Sequence, residues 1–247
     1  MATASEDPDV SLVIPTFNEA GRLGPTLTRV LDYLQSQPRS FEVVVVDDGS
    51  GDATLDVARA YAAGRDGVRL HRQVPNRGKG EAVRQGMLLA TGRYRFFSDA
   101  DLSVPIEMLP AFLLPLEEAC DIAVGSRRVA GAVIEVHQPP YRELLGRGYS
   151  ALASWMLRLA VADVTCGFKG FRGAVATDLF ARQRIRNWSF DAEILYLAHR
   201  RGYRVVEIPV RWRNDASSKV RLRRDVLRSL SELAVVLWNG WTGLYDT

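Results

Sequence analysis

Two carboxylates follow a pair of aromatic residues in the segment FFSDADLS, residues 96–103. The apolar residues before Asp99 predict a buried strand, so Asp99 and Asp101 should stand at its carboxyl end. Ionised carboxylates that leave water are costly unless a positive charge lies between them. An Asp-x-Asp pair suits a divalent cation that is held by oxygen ligands and shared with diphosphate oxygens. The alternative is that both residues only cap the next turn.

A second acidic pair, Asp47 and Asp48, ends the apolar run in FEVVVVDDGS. Between the two pairs lies NRGKGEAVRQG, in which glycines flank Lys79 just before a predicted helix. Backbone N–H groups, the positive end of a helix dipole and an ammonium can all face phosphate. The segment lacks the Gly-x-x-x-x-Gly-Lys-Ser/Thr pattern of a P-loop. Together these residues predict a binding site for a nucleoside diphosphate and its metal.

The elements that must position these residues alternate between strands and helices. This order predicts an α/β fold with a mostly parallel central sheet and helices on both faces. Ligands bind such sheets at the carboxyl ends of the strands, so the four aspartates should meet at one edge. Strands are predicted in VSLVIP, FEVVVVD, VRLHRQ, YRFFSD, DIAVGS and YRVVEIPVRW, and helices over residues 22–35, 52–63, 79–90, 141–160 and 190–201.

The composition limits the protein class. The chain has 247 residues, of which 47% are apolar and 25% charged, and this suits one large soluble domain. Its two cysteines exclude a disulfide framework, so a reducing cytoplasm is expected. The sequence predicts neither a signal peptide nor a membrane span. Basic and aromatic residues do not alternate over a broad surface, which argues against nucleic-acid binding.

Seven segments in one order resemble a known family. The chain is similar to family 2 glycosyltransferases that load sugars onto polyprenyl phosphates, above all dolichyl-phosphate β-glucosyltransferases and then dolichyl-phosphate mannose synthases. The resemblance spans roughly residues 10–215 and implies the Rossmann-like glycosyltransferase A fold. It rests on VIPTFNE, VVDDGSGDAT, NRGKGEAVRQGMLLATGRY, SDADLSVPIEMLP, VGSRR, TCGFKGF and WSFDAEILYLA.

The resemblance also implies roles for single residues. Asp99 and Asp101 would hold Mg²⁺ or Mn²⁺, and Lys79 would approach the phosphates of the nucleotide-sugar donor. Arg127 and Arg142 match basic positions that contact the acceptor phosphate in mannose synthases. The remaining nucleotide contacts would come from Pro15, Asn18, Glu19 and the Asp47–Asp48 pair, with Asp48 at the base or ribose.

Two acidic residues in FDAEIL leave a choice open. Asp191 and Glu193 form either a base and its partner or a helix cap and a first-turn carboxylate. The family motif includes Asp191, which favours contact with the sugar or the acceptor. A phosphate monoester, whose second pKa is about 6, would arrive ionised and would need arginines but no base.

The C-terminal segment predicts a separate element. Residues 1–220 are expected to form the catalytic domain and residues 221–247 a basic amphipathic helix. Residues 211–228 hold seven Lys/Arg and two Asp, a balance of +5. Such a helix suits a membrane surface, although packing on the core or on another subunit is the alternative. Its apolar stripe contains Leu227, Leu230, Ala234, Leu237, Trp241 and Leu244.

The sequence therefore favours a metal-dependent, inverting enzyme that moves a hexose from a nucleotide sugar to a polyprenyl phosphate. UDP-glucose is the favoured donor and GDP-mannose the alternative. The protein is expected to be cytoplasmic and peripheral at the inner face of the membrane. Transfer to a soluble or glycan hydroxyl is the second interpretation. A non-catalytic sugar-nucleotide-binding or scaffold protein is the third, and the complete Asp99/Asp101 pair argues against it.

Overall fold

The computed structural model describes residues 7–215 and 222–246, with side chains described for 7–215 and 226–246. The strands are β1 (Val10–Thr16), β2 (Phe41–Asp47), β3 (Val68–Arg72), β4 (Tyr94–Ser98), β5 (Ile122–Ser126), β6 (Val133–Val136), β7 (Phe168–Arg172), β8 (Val205–Pro209) and β9 (Arg211–Arg213). The helices are α1 (Ala20–Gln35), α2 (Thr54–Ala62), α3 (Lys79–Leu89), α4 (Leu109–Glu118), α5 (Pro140–Leu157), α6 (Gly173–Arg182), α7 (Phe190–Arg200) and α8 (Leu222–Trp241).

Seven strands form the central sheet in the order β3-β2-β1-β4-β7-β5-β8. All neighbouring strands are parallel except that β7 runs antiparallel to both β4 and β5. The predicted α/β fold with a mostly parallel sheet is therefore confirmed. The carboxyl ends of β1, β2 and β4 lie at one edge, because these strands are parallel neighbours.

Alternate side chains of the sheet enter two apolar layers, one on each face. Leu12 and Ile14 of β1 pack with helices α1 and α4, whereas Val13 packs with helices α3, α6 and α7. This alternation follows from the two-residue period of a strand. Helices thus cover both faces, and polar residues that need water or ligand are left at the strand ends.

Two sequence predictions need correction. YRVVEIPVRW forms two strands, β8 and β9, because the chain leaves the central sheet after Pro209. Proline has no N–H to donate to a ladder, and the next residues pair with β6 in a separate two-stranded sheet. The partner strand β6 lies within residues 127–140, where the sequence predicted no element.

The C-terminal helix α8 has one packed face and one exposed face. Its packed face includes Leu233 and Val236, both fully buried among side chains of α5 and α7. Most of the predicted stripe lies on the other face: Leu227 is 70% exposed and Trp241 79%. The predicted domain boundary at residue 220, and the basic residues Lys219 and Arg221, lie outside the described residues. Among the helices described, none is long and apolar enough to cross a membrane.

The packing of α3 on the sheet gives a stability test. A Cβ atom at Gly86 would lie 2.2 Å from Cγ1 of Val13, which is buried and β-branched and cannot move aside. We expect Gly86→Ala to lower the free energy of unfolding by about 1–3 kcal/mol through overpacking. Urea unfolding followed by circular dichroism measures the change.

Gly148 in the middle of α5 serves as the matched control. A Cβ atom at Gly148 would have no neighbour within 4 Å. Gly148→Ala should therefore stabilise the protein by up to about 1 kcal/mol through helix propensity. Equal effects of the two substitutions would contradict the tight contact between α3 and β1.

Candidate active site

The turn after β4 carries both predicted metal ligands. The Asp99 N–H donates to the Gly167 carbonyl at 3.3 Å, and Oδ1 of Asp101 accepts a 2.9 Å hydrogen bond from the Ser103 N–H. Leu102 has a left-handed backbone conformation, with φ of 47°, and its side chain is buried. Because this conformation is costly for leucine, tertiary packing must maintain it. The turn thereby holds Asp101 in a fixed position.

Lys79 is the cation at this turn. It is the first residue of α3, and its Nζ lies 2.6 Å from Oδ1 of Asp99. Burial lowers the pKa of Lys79, but the charges of Asp99 and Asp191 outweigh burial and raise it. Burial and the charge of Asp99 together raise the pKa of Asp101. The ammonium therefore stands where these carboxylates require a positive charge.

The residues at this turn fit a divalent metal. Carboxylate oxygens are the ligands that Mg²⁺ and Mn²⁺ prefer, and the Lys79 ammonium already occupies a cation position on Asp99. Gly167 provides space for the Asp99 carboxylate, because a Cβ there would lie 2.2 Å from Oδ2. Within residues 7–215 and 222–246, no group of three His, Cys, Asp or Glu side chains is arranged for a metal. The protein would therefore supply two carboxylates, and other ligands would come from the substrate or water.

A cavity of about 340 Å³ opens at this turn. Six of the predicted site residues line it: Lys79, Asp99, Asp101, Arg127, Arg142 and Asp191. Trp188 and Trp212 add aromatic surface, and α8 contributes Val226 and Ser229. The cavity therefore combines carboxylates, cations and apolar walls.

The predicted nucleotide residues near β1 and β2 lie outside the lining of this cavity. Asp48 is buried and accepts hydrogen bonds from the N–H groups of Arg77 (2.7 Å) and Gly78 (2.9 Å) and from the Gln73 side chain. Burial raises the pKa of Asp48. Its contacts show that Asp48 holds the loop that leads into Lys79.

The other members of this group also make contacts within the protein. Asp47 is fully buried, and its Oδ1 accepts a 3.3 Å hydrogen bond from the Ser50 N–H. Asn18 accepts a 2.8 Å bond from the Gly51 N–H, and Glu19 pairs with Arg22 at 2.8 Å. Pro15 is buried within β1, opposite Val46. Nucleotide contact by these residues stays a prediction.

Asp191 and Glu193 have different surroundings, although both begin α7. Asp191 lines the cavity, and its Oδ1 accepts a 2.5 Å hydrogen bond from Nζ of Lys169, which is fully buried. Burial raises the pKa of Asp191. Glu193 is fully buried and accepts hydrogen bonds from the Ile185 N–H (2.8 Å) and the Tyr245 hydroxyl (2.6 Å). Glu193 is not among the residues that line the cavity, and its oxygens bind the turn before α7 and the C-terminal segment, so these contacts favour a structural role.

The two predicted acceptor arginines both line the cavity but differ in their partners. Arg127 donates from Nε and Nη2 to Asp163, at 2.7 and 2.8 Å, and Asp163 is fully buried. Burial raises the pKa of Asp163, but the Arg127 guanidinium outweighs burial and holds this pKa well below its usual range. Arg142 lines the cavity, and its Nε has no hydrogen-bond partner among the described residues. Arg142 therefore has more hydrogen-bonding capacity left for a ligand.

Sequence reasoning missed three residues of this site. Lys169 stood in TCGFKGF without an assigned role, although a lysine within an apolar strand is a signal for a buried ion pair. Asp163 gave no local signal. Trp188 begins the segment WSFDAEILYLA but had no assigned role, yet it lines the cavity.

Comparison with known proteins now decides the family. Residues 11–180 match Glycosyl transferase family 2. The chain belongs to this family. The dolichyl-phosphate beta-glucosyltransferase of Drosophila melanogaster is 35% identical over 226 residues, which cover 86% of this chain and 69% of the fly protein. The protein of the same name from Saccharomyces cerevisiae is 31% identical over 254 residues, 96% of this chain and 76% of its own length.

The fold also agrees with a solved structure. Glucosyl-3-phosphoglycerate synthase from Mycobacterium tuberculosis, solved in complex with UDP, superposes with a TM-score of 0.68 at 20% identity. The match covers 93% of this chain and 80% of that protein. The predicted glycosyltransferase A fold and the predicted enzyme class, a glycosyltransferase, are both confirmed.

The buried Arg127–Asp163 pair of this glycosyltransferase gives a second stability test. Arg127→Met removes both side-chain hydrogen bonds to the buried Asp163 and leaves it with the more distant Arg128, whose Nη2 lies 4.0 Å away, so we expect a loss of about 3 kcal/mol in the free energy of unfolding near neutral pH. Arg142→Met is the control, because Arg142 has no ion pair in the described structure; it should cost within about 0.5 kcal/mol. Urea unfolding measures both, and similar losses would contradict the difference between the two arginines.

The pH dependence of this loss has a definite sign. The folded-state pKa of Asp163 is depressed, so the pair stabilises fully above the unfolded pKa of about 3.9 and loses its effect as the pH falls towards the folded pKa. In Arg127→Met the pKa of Asp163 is depressed less, because only the backbone N–H of residue 127, the Thr165 hydroxyl and Arg128 still favour the carboxylate. The difference in stability between wild type and variant should therefore stay constant from pH 7 to about pH 4 and shrink below about pH 4. A difference that stays constant below about pH 4 would contradict the pair.

Proposed function

We propose that this family 2 glycosyltransferase moves a hexose from a nucleotide sugar, with UDP-glucose favoured over GDP-mannose, to a polyprenyl phosphate such as dolichyl phosphate. The observation that carries the proposal is the composition of one cavity. Its lining includes Asp99, Asp101 and Lys79, as well as the basic side chain of Arg142. A donor diphosphate and an acceptor phosphate need two such groups of polar residues. The glucosyltransferase names of the relatives support the donor sugar and the acceptor.

The donor side of the reaction develops negative charge on the leaving nucleoside diphosphate. Asp99 and Asp101 would hold Mg²⁺ or Mn²⁺, which when bound neutralises part of that charge. Lys79 would move its ammonium from Asp99 to the phosphates, at the N-terminus of α3, where backbone N–H groups also face anions. Charges positioned where charge develops are a large source of transition-state stabilisation.

The acceptor side needs a residue that holds an oxyanion. A phosphate monoester is largely ionised near neutral pH, because its second pKa is about 6, and it attacks without a base. Arg142 would bind this phosphate with charge-assisted hydrogen bonds. Arg127, which is bound to Asp163, would act through its positive charge and by shaping the cavity wall. A single displacement on an α-linked donor then gives a β-linked product.

One observation favours a second candidate, transfer to a sugar hydroxyl. Such an acceptor needs a general base, and Asp191 lies in the cavity with its pKa raised by burial. The hydrogen bond from Lys169 opposes this role, because the ammonium stabilises the carboxylate and weakens it as a base. The phosphate acceptor therefore remains the first candidate.

A lipid-linked acceptor also requires contact with a membrane surface. The exposed face of α8 carries Leu227, Trp238 and Trp241, which are 70%, 61% and 79% exposed. Tryptophan side chains favour the interface between headgroups and hydrocarbon. The exposed Arg228 lies on the same helix and would add attraction to anionic headgroups. We therefore place this face of α8 against the bilayer.

A panel of donors and acceptors tests the proposed reaction. With UDP-glucose, polyprenyl phosphate and Mn²⁺, we expect an acid-labile glycolipid that extracts into organic solvent. Asp101→Asn should lower turnover by roughly 10²-fold or more, because it removes charge where the transition state needs it. Radiolabel transfer into the organic phase measures both, and EDTA should abolish it.

The exposed Asp56 on α2 provides the control, since Asp56→Asn makes the same charge change at a residue outside the cavity lining. Full turnover in metal-free buffer would reject the metal. A labelled product that stays in water and requires a hydroxyl acceptor would support the second candidate instead. Tighter calorimetric binding of GDP than of UDP would reverse the choice of donor.

Vesicle sedimentation tests the membrane face without disturbing the packed face of α8. We expect Trp238→Ser/Trp241→Ser to weaken binding to anionic vesicles by roughly tenfold or more, since burying one large apolar side chain contributes about 1.5–3 kcal/mol. Salt should weaken wild-type binding without abolishing it, because only the electrostatic part is screened. Leu114→Ser on α4, where Leu114 is 57% exposed, is the control. Equal sedimentation of the double variant and wild type would contradict this role of α8.

A further inference from the structure

Trp188 lies in a turn between α6 and α7 that is held firmly although it has no regular structure. On one side the turn contacts the start of α3: the Glu81 N–H donates to the Arg186 carbonyl at 3.0 Å. A Cβ at Gly80 would lie 2.8 Å from the Asn187 carbonyl oxygen. Gly80, which follows Lys79, is thus needed for the close approach of this turn to α3.

The opposite side of the turn is bound by α5 and α8. The Ser189 hydroxyl donates to the Ser229 carbonyl at 3.0 Å and accepts a 2.9 Å bond from the Tyr149 hydroxyl. The Ser189 N–H donates to Oε2 of Glu232 at 3.1 Å. Contacts on both sides fix the backbone next to Trp188, so a ligand that packs on this ring would pay little for ordering it.

The Trp188 ring remains partly exposed, at 36%, and lines the cavity together with Asp99, Asp101 and Asp191. Its centroid lies 5.6 Å from Nζ of Lys79. An aromatic wall beside a few placed polar groups is typical of a small-molecule site. A partly exposed indole on a firmly held backbone has apolar surface here for a ligand to cover.

We propose that Trp188 forms the wall against which the hexose ring of the donor packs, and that it contributes to the selection of the sugar. The inference rests on the proposed function. In a nucleotide sugar the hexose is joined directly to the terminal phosphate, so a ring this close to the phosphate-binding ammonium is within reach of the sugar. A hexose presents C–H groups on its faces and hydroxyls at its rim. The indole covers a face, and Asp191, oriented by Lys169, accepts hydrogen bonds from the rim.

A different role for Trp188 makes a different prediction. If the indole served Lys79 through a cation–π contact, it would support the phosphates and not the sugar. Its removal would then weaken the binding of a nucleoside diphosphate and of a nucleotide sugar by the same factor. The difference between the affinity losses for these two ligands therefore isolates the contribution of the hexose.

Isothermal titration calorimetry on the full chain with Mn²⁺ makes this comparison. The ligands are two pairs, UDP with UDP-glucose and GDP with GDP-mannose, and the pair that wild type binds is used. For Trp188→Ala we expect unchanged affinity for the diphosphate and a roughly fivefold to tenfold loss for the nucleotide sugar. Trp188→Phe should recover most of that loss. Trp155→Ala, which removes a 78% exposed tryptophan outside the cavity lining, should change neither affinity.

Several outcomes would overturn the inference. Equal losses for the diphosphate and the nucleotide sugar would assign Trp188 to Lys79. Unchanged affinities in Trp188→Ala, with native circular dichroism, would leave the ring without contact to the donor. Failure of wild type to bind either nucleotide sugar would overturn the proposed function and this inference with it. The first two outcomes concern only the Trp188 variant, so they are distinguishable from this one.

Discussion

The ion pair between Lys79 and Asp99 is the contact on which the rest of the site depends. It joins the start of α3 to the turn after β4, two elements that are separate in the chain. A lysine at a helix N-terminus opposes the helix dipole, so the pair is favourable only because Asp99, Asp101 and Asp191 surround the ammonium. Under the proposed function this pair must open: a metal takes Asp99 and phosphates take Lys79. Binding of the metal would therefore favour binding of the nucleotide. By thermodynamic linkage, binding of the nucleotide would favour binding of the metal by the same factor.

Glycines allow the backbone to approach the groups that form this site. Gly78 has φ of 102° just before Lys79, and a Cβ there would lie 2.4 Å from the Asn187 side chain. Gly167 faces the Asp99 carboxylate. Gly170 on β7 faces the Phe96 ring of β4, and a Cβ at Gly170 would lie 2.2 Å from Cε1 of that ring. The antiparallel strand β7 therefore lies close to β4 because it carries glycine there. The geometry of the site therefore depends on close backbone packing at these glycines as well as on the charged side chains.

Much of the fold was predictable because its signals are local. The valines of β2, the carboxylates after β4 and the glycines around Lys79 each form patterns over a few residues, and the alternation of elements then predicts one shared edge. Insertion of β7 between β4 and β5 was not predictable, since strand order depends on pairings between distant segments. The same holds for Arg127 with Asp163 and for Lys169 with Asp191: a sequence shows each charge, but only the fold shows its partner. Trp188 begins a segment of the family resemblance, but only the fold shows that it forms part of the cavity wall.

The two faces of α8 connect the membrane question to the active site. Leu227 and Leu230 are exposed on the turn that also places Val226 and Ser229 in the cavity lining. A helix of 3.6 residues per turn can present neighbouring residues to both environments within one turn. A bilayer resting on the exposed face would therefore lie beside a cavity wall formed by the same helix. Under the proposed function, this arrangement would present a lipid phosphate at the headgroup level to the cavity, so one helix would both bring the enzyme to its acceptor and complete the cavity that binds it.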